Sequence, residues 1–177
     1  MTLGLESGIV RLVPYDPEWP TLFAAESERL QKLFAAAGLI VTLEHMGSTA
    51  VPGLAAKPIL DILGGYHERT GLAKCIDVLI AAGYVHRGEQ GIPGREFFRR
   101  GNPRSYHLHL TAIDSPFWQD HLAFRNRLRA DAAVRDAYAA LKYDLAARFP
   151  RNREAYIEGK APFVNETLRM RAGVKVR

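Results

Sequence analysis

Residues 44–65 read EHMGSTAVPGLAAKPILDILGG, and the fold turns on how they are read. The end of one apolar strand runs into a turn of small residues, and a second strand then carries a lone acid. In the PILDIL segment, Leu60 and Ile62 take one face of a strand, while Ile59, Asp61 and Leu63 take the other. A carboxylate among aliphatics is desolvated at a cost unless it is paired, hydrogen-bonded or metal-bound. Asp61 is therefore either tied to a buried Arg, Lys or backbone N–H, or it is a metal ligand or general base. The turn has two readings as well. Gly47 and Ser48 allow backbone N–H groups to approach a phosphate, with Ser48 and Thr49 adding hydroxyls and Lys57 a cation. The same residues also suit an ordinary strand-to-strand loop.

Working outward, IVRLV at 9–13 reads as a short strand closed by Pro14, Asp16 and Pro17. Apolar spacing at Leu22, Phe23, Leu30, Leu33 and Phe34 predicts a helix that Gly38 ends. LIVTLEHM is a strand, and GLAKCIDVLIAAG is a helix stopping at Gly83. YVHRG is a short strand, and REFFRRG and SYHLHLTAI form a hairpin around GNPRS. Three helices follow, over about 116–131, 132–148 and 152–172, the first capped by Asp114 or Ser115 with Pro116 at its first position. The order β-α-β-β-α-β-β-β-α-α-α makes an α+β chain. It predicts one domain over 1–177, with a mixed sheet and packed helices over about 9–114 and a helical C-terminal part over about 115–172.

His107 and His109, two residues apart in SYHLHLTAI, share one strand face, opposite Tyr106, Leu108 and Leu110. Two imidazoles so placed suit a divalent metal or a phosphate. His45, at the end of the strand before the turn, is a candidate to join them, whereas His67, His86 and His121 read as surface. Arg99, Arg100 and Arg104 stand near the hairpin tip, where they either contact phosphate or base or keep a sheet edge soluble. In the C-terminal helices, Phe124, Leu128, Tyr138, Leu141, Leu145 and Phe149 have core spacing. Arg125, Lys142 and Lys160 are the basic residues that stand out there; Lys160, beside Tyr156 and Phe163, is either a lysine reaching into a cleft or a solvated helix lysine.

Charge is uneven along the chain. Residues 125–177 hold 13 Lys/Arg and 6 Asp/Glu, net +7, and the first 124 residues are net −2. That asymmetry points to an anionic partner, nucleotide or RNA, or to a solvated basic surface. No run approaches the ~18 apolar residues of a membrane span, and no signal peptide is visible in MTLGLESGIVRLVPYD. The lone Cys75 excludes an internal disulfide and a cysteine-cluster zinc site; a cytoplasmic location is expected.

Taken together, VPYDPEWPTLFAAE, EHMGSTAVPGLAAKPILDIL, YHLHLTAI and YIEGKAPF resemble the GrpB family of nucleotidyltransferase-like proteins, from about residue 9 to 170. The resemblance implies a polymerase-β-like nucleotidyltransferase core with added C-terminal helices, in a family with members fused to dephospho-CoA kinase. It implies nucleotide or phosphorylated-ligand binding by Gly47, Ser48, Thr49, Lys57, Arg125 and Lys160, with Asp61, His107 and His109 as reactive or metal centre. In the wider superfamily two acids alternate on the strand after the turn and a third lies on a later strand, together holding two divalent ions. Here Ile59 and Leu63 stand where the second acid would be. The set therefore implies a single softer ion such as Mn²⁺ or Zn²⁺, or no metal at all, rather than a two-Mg²⁺ pair; a ligand-binding or accessory module without transfer chemistry is the alternative function. RNA binding through the basic C-terminal helices is a third expectation.

Overall fold

The two strands of the quoted stretch are neighbours in the computed structural model, which describes residues 3–171. Strand β1 (Val41–Met46) pairs antiparallel with β2 (Leu60–Tyr66), placing Met46 opposite Asp61. Strands β3 (Val85–His86), β4 (Glu96–Arg100) and β5 (Tyr106–Ala112) complete a sheet of order β1-β2-β5-β4-β3. Only β2 and β5 run parallel, with Asp61 opposite His107 and Leu63 opposite His109. The hairpin expected around GNPRS is β4–β5.

The helices are α1 (Trp19–Ala36), α2 (Leu72–Ala81), α3 (Pro116–Ala130), α4 (Ala132–Arg148) and α5 (Arg153–Arg171). Their ends follow the expected chemistry. Gly38 takes φ +69° after α1, and the Leu39 N–H turns back onto the Phe34 carbonyl. Ser115 caps α3 by accepting from the Trp118 N–H at 3.1 Å, with Pro116 beginning the helix. Asp131 and Asn152 cap α4 and α5 in the same way.

The sheet has two unlike faces. Leu43, Ile62, Phe98, Leu108 and Leu110 pack under α1 and α2 with Leu30, Phe34 and Leu79. The other face carries Met46, Asp61, Leu63, Phe97, His107 and His109. Its β1–β2 corner is closed by Trp118 of α3 against Met46 and Leu63. Gly65 makes that closure geometrically feasible, since a Cβ there would lie 2.7 Å from the Trp118 ring. Beside Asp61, helices α3–α5 stand away from the sheet and leave a cleft.

One expected strand is absent. Segment 9–13 joins no sheet: Val13 makes a single bridge to Ala56, and the Val10 N–H donates to the Pro150 carbonyl. Val10 and Leu12 pack instead with Leu145 and Tyr156. The β-branched pattern reports burial correctly, but α4 and α5 supply the burial, not a neighbouring strand.

A buried carboxylate joins α1 to the sheet. Glu26, 4% exposed, accepts from Tyr84 Oη (2.9 Å), Arg29 (2.7 Å) and Arg100 (2.9 Å). Arg100 therefore faces the α1 side, and Arg104 bonds the Leu5 and Glu6 carbonyls; neither serves an anion at the hairpin tip. Glu26→Ala leaves the Tyr84 hydroxyl and two guanidinium groups without their acceptor. It should cost about 2–3 kcal/mol in a urea titration, below the range of a fully buried pair because both arginines reach solvent.

Candidate functional site

Asp61 occupies the floor of a cleft of about 490 Å³ between the sheet and α3–α5. Its neighbour across the parallel pair, His107, brings ring Nδ1 to 3.2 Å from Asp61 Oδ1, and His109 Nε2 lies 4.0 Å from the same oxygen. Gly47 closes the far side. Its φ is +73°, and a Cβ there would lie 2.6 Å from Asp61 Oδ2, so this turn position is restricted to glycine by both conformation and contact. Burial pushes the Asp61 carboxyl up. The His107 hydrogen bond and the charges of His107, His109 and Lys57 outweigh it and hold the group down at about 2.

The proton positions on the imidazoles follow from their partners. Arg95 Nη1 lies 3.1 Å from His109 Nδ1, and a guanidinium only donates, so Nδ1 carries the lone pair and Nε2 the proton. The proton of His109 therefore faces Asp61. Burial drives His109 well below the ordinary imidazole range and lowers His107 too, in both cases against the opposing pull of Asp61. At His107 the Nδ1 side faces the carboxylate, and the buried Nε2 is left with no hydrogen-bond partner. Asp61 thus accepts from His107, with the His109 ring close by.

The walls are cationic. Lys57, Arg95, Arg125, Lys142, Arg153 and Lys160 line the cleft, against Asp61 and Asp120. Lys142, 1% exposed, donates to Ser48 Oγ at 3.1 Å and to the Ala55 carbonyl. Lys57 and Lys160 approach one Tyr156 ring, at 5.5 and 4.7 Å from its centroid. Burial first, then the neighbouring lysines, lowers Lys142 to about 7; burial and Lys57 likewise bring Lys160 to about 7, although Asp61 opposes the change.

The residues that the resemblance implied as the site all line this cleft: Gly47, Ser48, Thr49, Lys57, Asp61, His107, His109, Arg125 and Lys160. They differ in what they have left to offer. Thr49 Oγ1 is paired with His45 Nε2 at 3.0 Å, and Arg125 Nη1 donates to Glu44 and to the His45 carbonyl, both at 2.7 Å. The Ala50 and Val51 N–H groups fold back on Gly47 and Ser48, so the turn is a short 3₁₀ segment braced by Lys142 and by Arg129 on the Ala50 carbonyl. His45 does not join the other imidazoles: it stacks on Phe23 of α1 at 4.6 Å, on the opposite sheet face. His121, expected on the surface, lines the cleft and stacks on Phe117 at 3.9 Å. Arg153 escaped the sequence reading; Arg95 shares a strand face with Phe97 in REFFRR, as the alternation of that strand predicts, but its place in the cleft is not assigned from sequence.

With this geometry established, the kinship is clear. The GrpB protein family profile matches residues 9–170. The chain belongs to the GrpB family. It is 32% identical to glutamate-rich protein GrpB of Alkalihalophilus pseudofirmus over 172 residues, covering 94% of this chain and 98% of that protein. Against YqkA of Bacillus subtilis it is 36% identical over 156 residues; 88% of this chain matches, but it spans only 45% of the relative. A protein of Mycolicibacterium paratuberculosis named dephospho-CoA kinase is 29% identical, over 90% of this chain and 45% of its own length. The crystal structure of GrpB from Enterococcus faecalis superposes with TM-score 0.81 at 33% identity, covering 90% of this chain and 96% of that one. Cid1 poly(U) polymerase bound to MgGTP superposes with TM-score 0.55 at 16% identity, over 76% of this chain and 44% of that one. The fold is thus the polymerase-β-like nucleotidyltransferase fold.

This GrpB-family cleft does not arrange its donors for a metal. Among the described residues, no three His, Cys, Asp or Glu side chains form a group that could hold an ion. For His109 to bind a metal through Nε2, its proton would have to move to Nδ1, setting an N–H against the Arg95 guanidinium 3.1 Å away. The expected set of Asp61, His107 and His109 does come together, with His107 hydrogen-bonded to the carboxylate and His109 Nε2 4.0 Å from it.

The lowered lysines make stability depend on pH. Between about 7 and the ordinary 10.5, the unfolded Lys142 and Lys160 bind protons that the folded forms have released, so folding strengthens as pH rises. The melting temperature of the unliganded protein should climb from about pH 7 to about pH 9. Lys160→Met should flatten the climb and raise the melting temperature near pH 7.

Proposed function

We propose that this protein binds a nucleotide or another phosphorylated small molecule in the cleft above Asp61. The observation that carries this reading is the set of six cationic side chains against two acids around one cavity of about 490 Å³. Crowded ammonium groups low in proton affinity are a preformed deficit of negative charge, and a phosphate relieves it by charge-assisted hydrogen bonds. Lys57 and Lys160, from opposite walls, are assigned to the phosphate; Lys142 braces Ser48 and the turn beneath it. Phe97, Phe124, Tyr138 and Tyr156 offer apolar area for a base or sugar face.

On the transfer reading, Asp61 accepts the proton of an attacking hydroxyl and the cationic wall stabilises charge on the phosphate. The second reading, a ligand-binding or accessory module, is favoured by the absence of an acid at Ile59 and Leu63, which are 3% and 0% exposed. The dephospho-CoA kinase relative, of which this chain covers 45%, fits that reading as well. RNA binding draws less support, because the C-terminal basic excess goes partly into the cleft and partly into Arg127–Asp131 and Arg148–Asp144 pairs.

A thermal-shift screen of nucleoside mono-, di- and triphosphates and sugar phosphates tests the reading. Stabilisation is expected in wild type and should fall at least tenfold in apparent affinity in Lys160→Met, the loss of one charged hydrogen bond. Asp61→Asn should keep phosphate binding. If the bound nucleotide is turned over by wild type and not by Asp61→Asn, the transfer reading holds; binding without turnover supports the accessory module. No response to any phosphorylated compound would refute the reading.

A further inference from the structure

In nucleotidyltransferase chemistry a divalent ion ordinarily neutralises the phosphates between the acids and the ligand. In this protein the positions two residues either side of Asp61 are buried Ile59 and Leu63, so the strand offers one carboxylate where a metal pair needs more. That carboxylate already accepts from the His107 ring N–H and faces the His109 N–H, leaving fewer lone pairs toward the cleft. Arg95, a permanent cation, touches the His109 ring at 3.1 Å and is anchored by the Glu89 carbonyl at 2.6 Å, so it is built into the site. A metal at the histidine pair would meet that guanidinium charge.

Positive charge reaches the cleft by another route. Lys57 follows the small-residue turn, Lys142 projects from α4, and Lys160 and Arg153 project from α5, so three separate elements direct cations at the space above Asp61. Arg153 Nε is buried without a hydrogen-bond partner. Lys57 and Lys160 line the same cavity as Asp61 and converge on one Tyr156 ring, at 5.5 and 4.7 Å from its centroid, so two ammonium groups share the space with the acid. Lysine is a compact point charge on a flexible stem, suited to following a phosphate.

We propose that this site takes its phosphorylated ligand as the free anion, without a divalent metal, with Lys57, Lys160 and Arg153 neutralising the phosphates and Asp61 accepting a hydrogen bond from a ligand hydroxyl or amino group. The proposal rests on the phosphorylated-ligand reading above and goes beyond it. It makes the ligand a metal-free phosphate ester carrying a donor group, such as a sugar phosphate or nucleotide, and it reverses the usual effect of Mg²⁺. Complexation by Mg²⁺ removes charge from the ligand and puts a cation beside cations, so it weakens binding.

Calorimetric titration of the full chain with pyrophosphate and with ATP, in EDTA and then in millimolar Mg²⁺, tests this. Binding is expected in EDTA, several-fold weaker in Mg²⁺, and at least tenfold weaker in Lys57→Met and Lys160→Met, whose unliganded melting curves report whether they fold. As a measurement independent of any variant, Mn²⁺ alone is titrated into wild type and free Mn²⁺ is followed by its spin-resonance signal; no micromolar site is expected. Binding of either probe only with Mg²⁺ or Mn²⁺ overturns the metal-free proposal and leaves the phosphorylated-ligand reading standing. A micromolar Mn²⁺ site lost in His109→Ala overturns it as well. No binding of either probe in any condition removes both.

Discussion

The Asp61 carboxylate is the constraint around which the site is organised. It stands on an inner strand of the sheet, opposite His107 in the one parallel pair, and a shift of one residue in that register would turn it into the α1–α2 core. Gly47 is required because a side chain at that turn would occupy the carboxylate's place. His107 and His109 take the tautomers they do because one proton each faces Asp61 and because Arg95 holds the far nitrogen of His109. The helices stand off the sheet here, and the charges they bring in are of the opposite sign. Strand order, turn composition and helix polarity are consequences of keeping one ionised acid accessible inside a protein.

Much of this could be read from local pattern. Asp61 stood out because a carboxylate among aliphatics always needs a reason, and His107 and His109 because a spacing of two fixes a common face in any strand. Helix ends were legible where the chemistry is local, as at Gly38, Gly83 and Ser115. What could not be read depends on which surfaces meet. His45 and Asp61 are both in or beside the turn, yet the register pairs His45 with Ile62 and so sends it to the opposite face. Residues 9–13 carry a strand's composition but are buried by α4 and α5, and no local pattern distinguishes helix-supplied from sheet-supplied burial. Lys142 draws attention in the sequence as a helix lysine, but no local pattern shows what it braces, because its partner Ser48 lies 94 residues earlier in the chain.

The cationic walls set stability against binding. Lys142 and Lys160 are brought to about 7 by burial first and then by neighbouring cations, Lys160 and Lys57 at Lys142 and Lys57 and Arg153 at Lys160, so the cleft holds their charged forms at a cost. Buried like charges persist when something other than folding needs them, and here they face one cavity and not a protein acid each. The buried Glu26 network shows what the same chain does when a charge is structural: its carboxylate is saturated by Tyr84, Arg29 and Arg100. The contrast between a saturated ion cluster on one sheet face and an unsaturated one on the other separates scaffold from site.

The fold shared with Cid1 does not dictate the electrostatics of the site. A strand after a small-residue turn places an acid below a phosphate-sized space in either sign of surrounding charge. When neighbouring acids are present, the space calls for divalent ions. When those positions are Ile59 and Leu63 and the facing helices carry Lys142, Arg153 and Lys160, the space already contains its cations. Under the proposed function, a ligand's phosphate meets ammonium and guanidinium groups whose positions are set by α4, α5 and the turn. The shape of the cleft is then a property of how the C-terminal helices dock, and segment 9–13, packed on Leu145 and Tyr156, supports it from behind as the strand that carries Asp61 does from below.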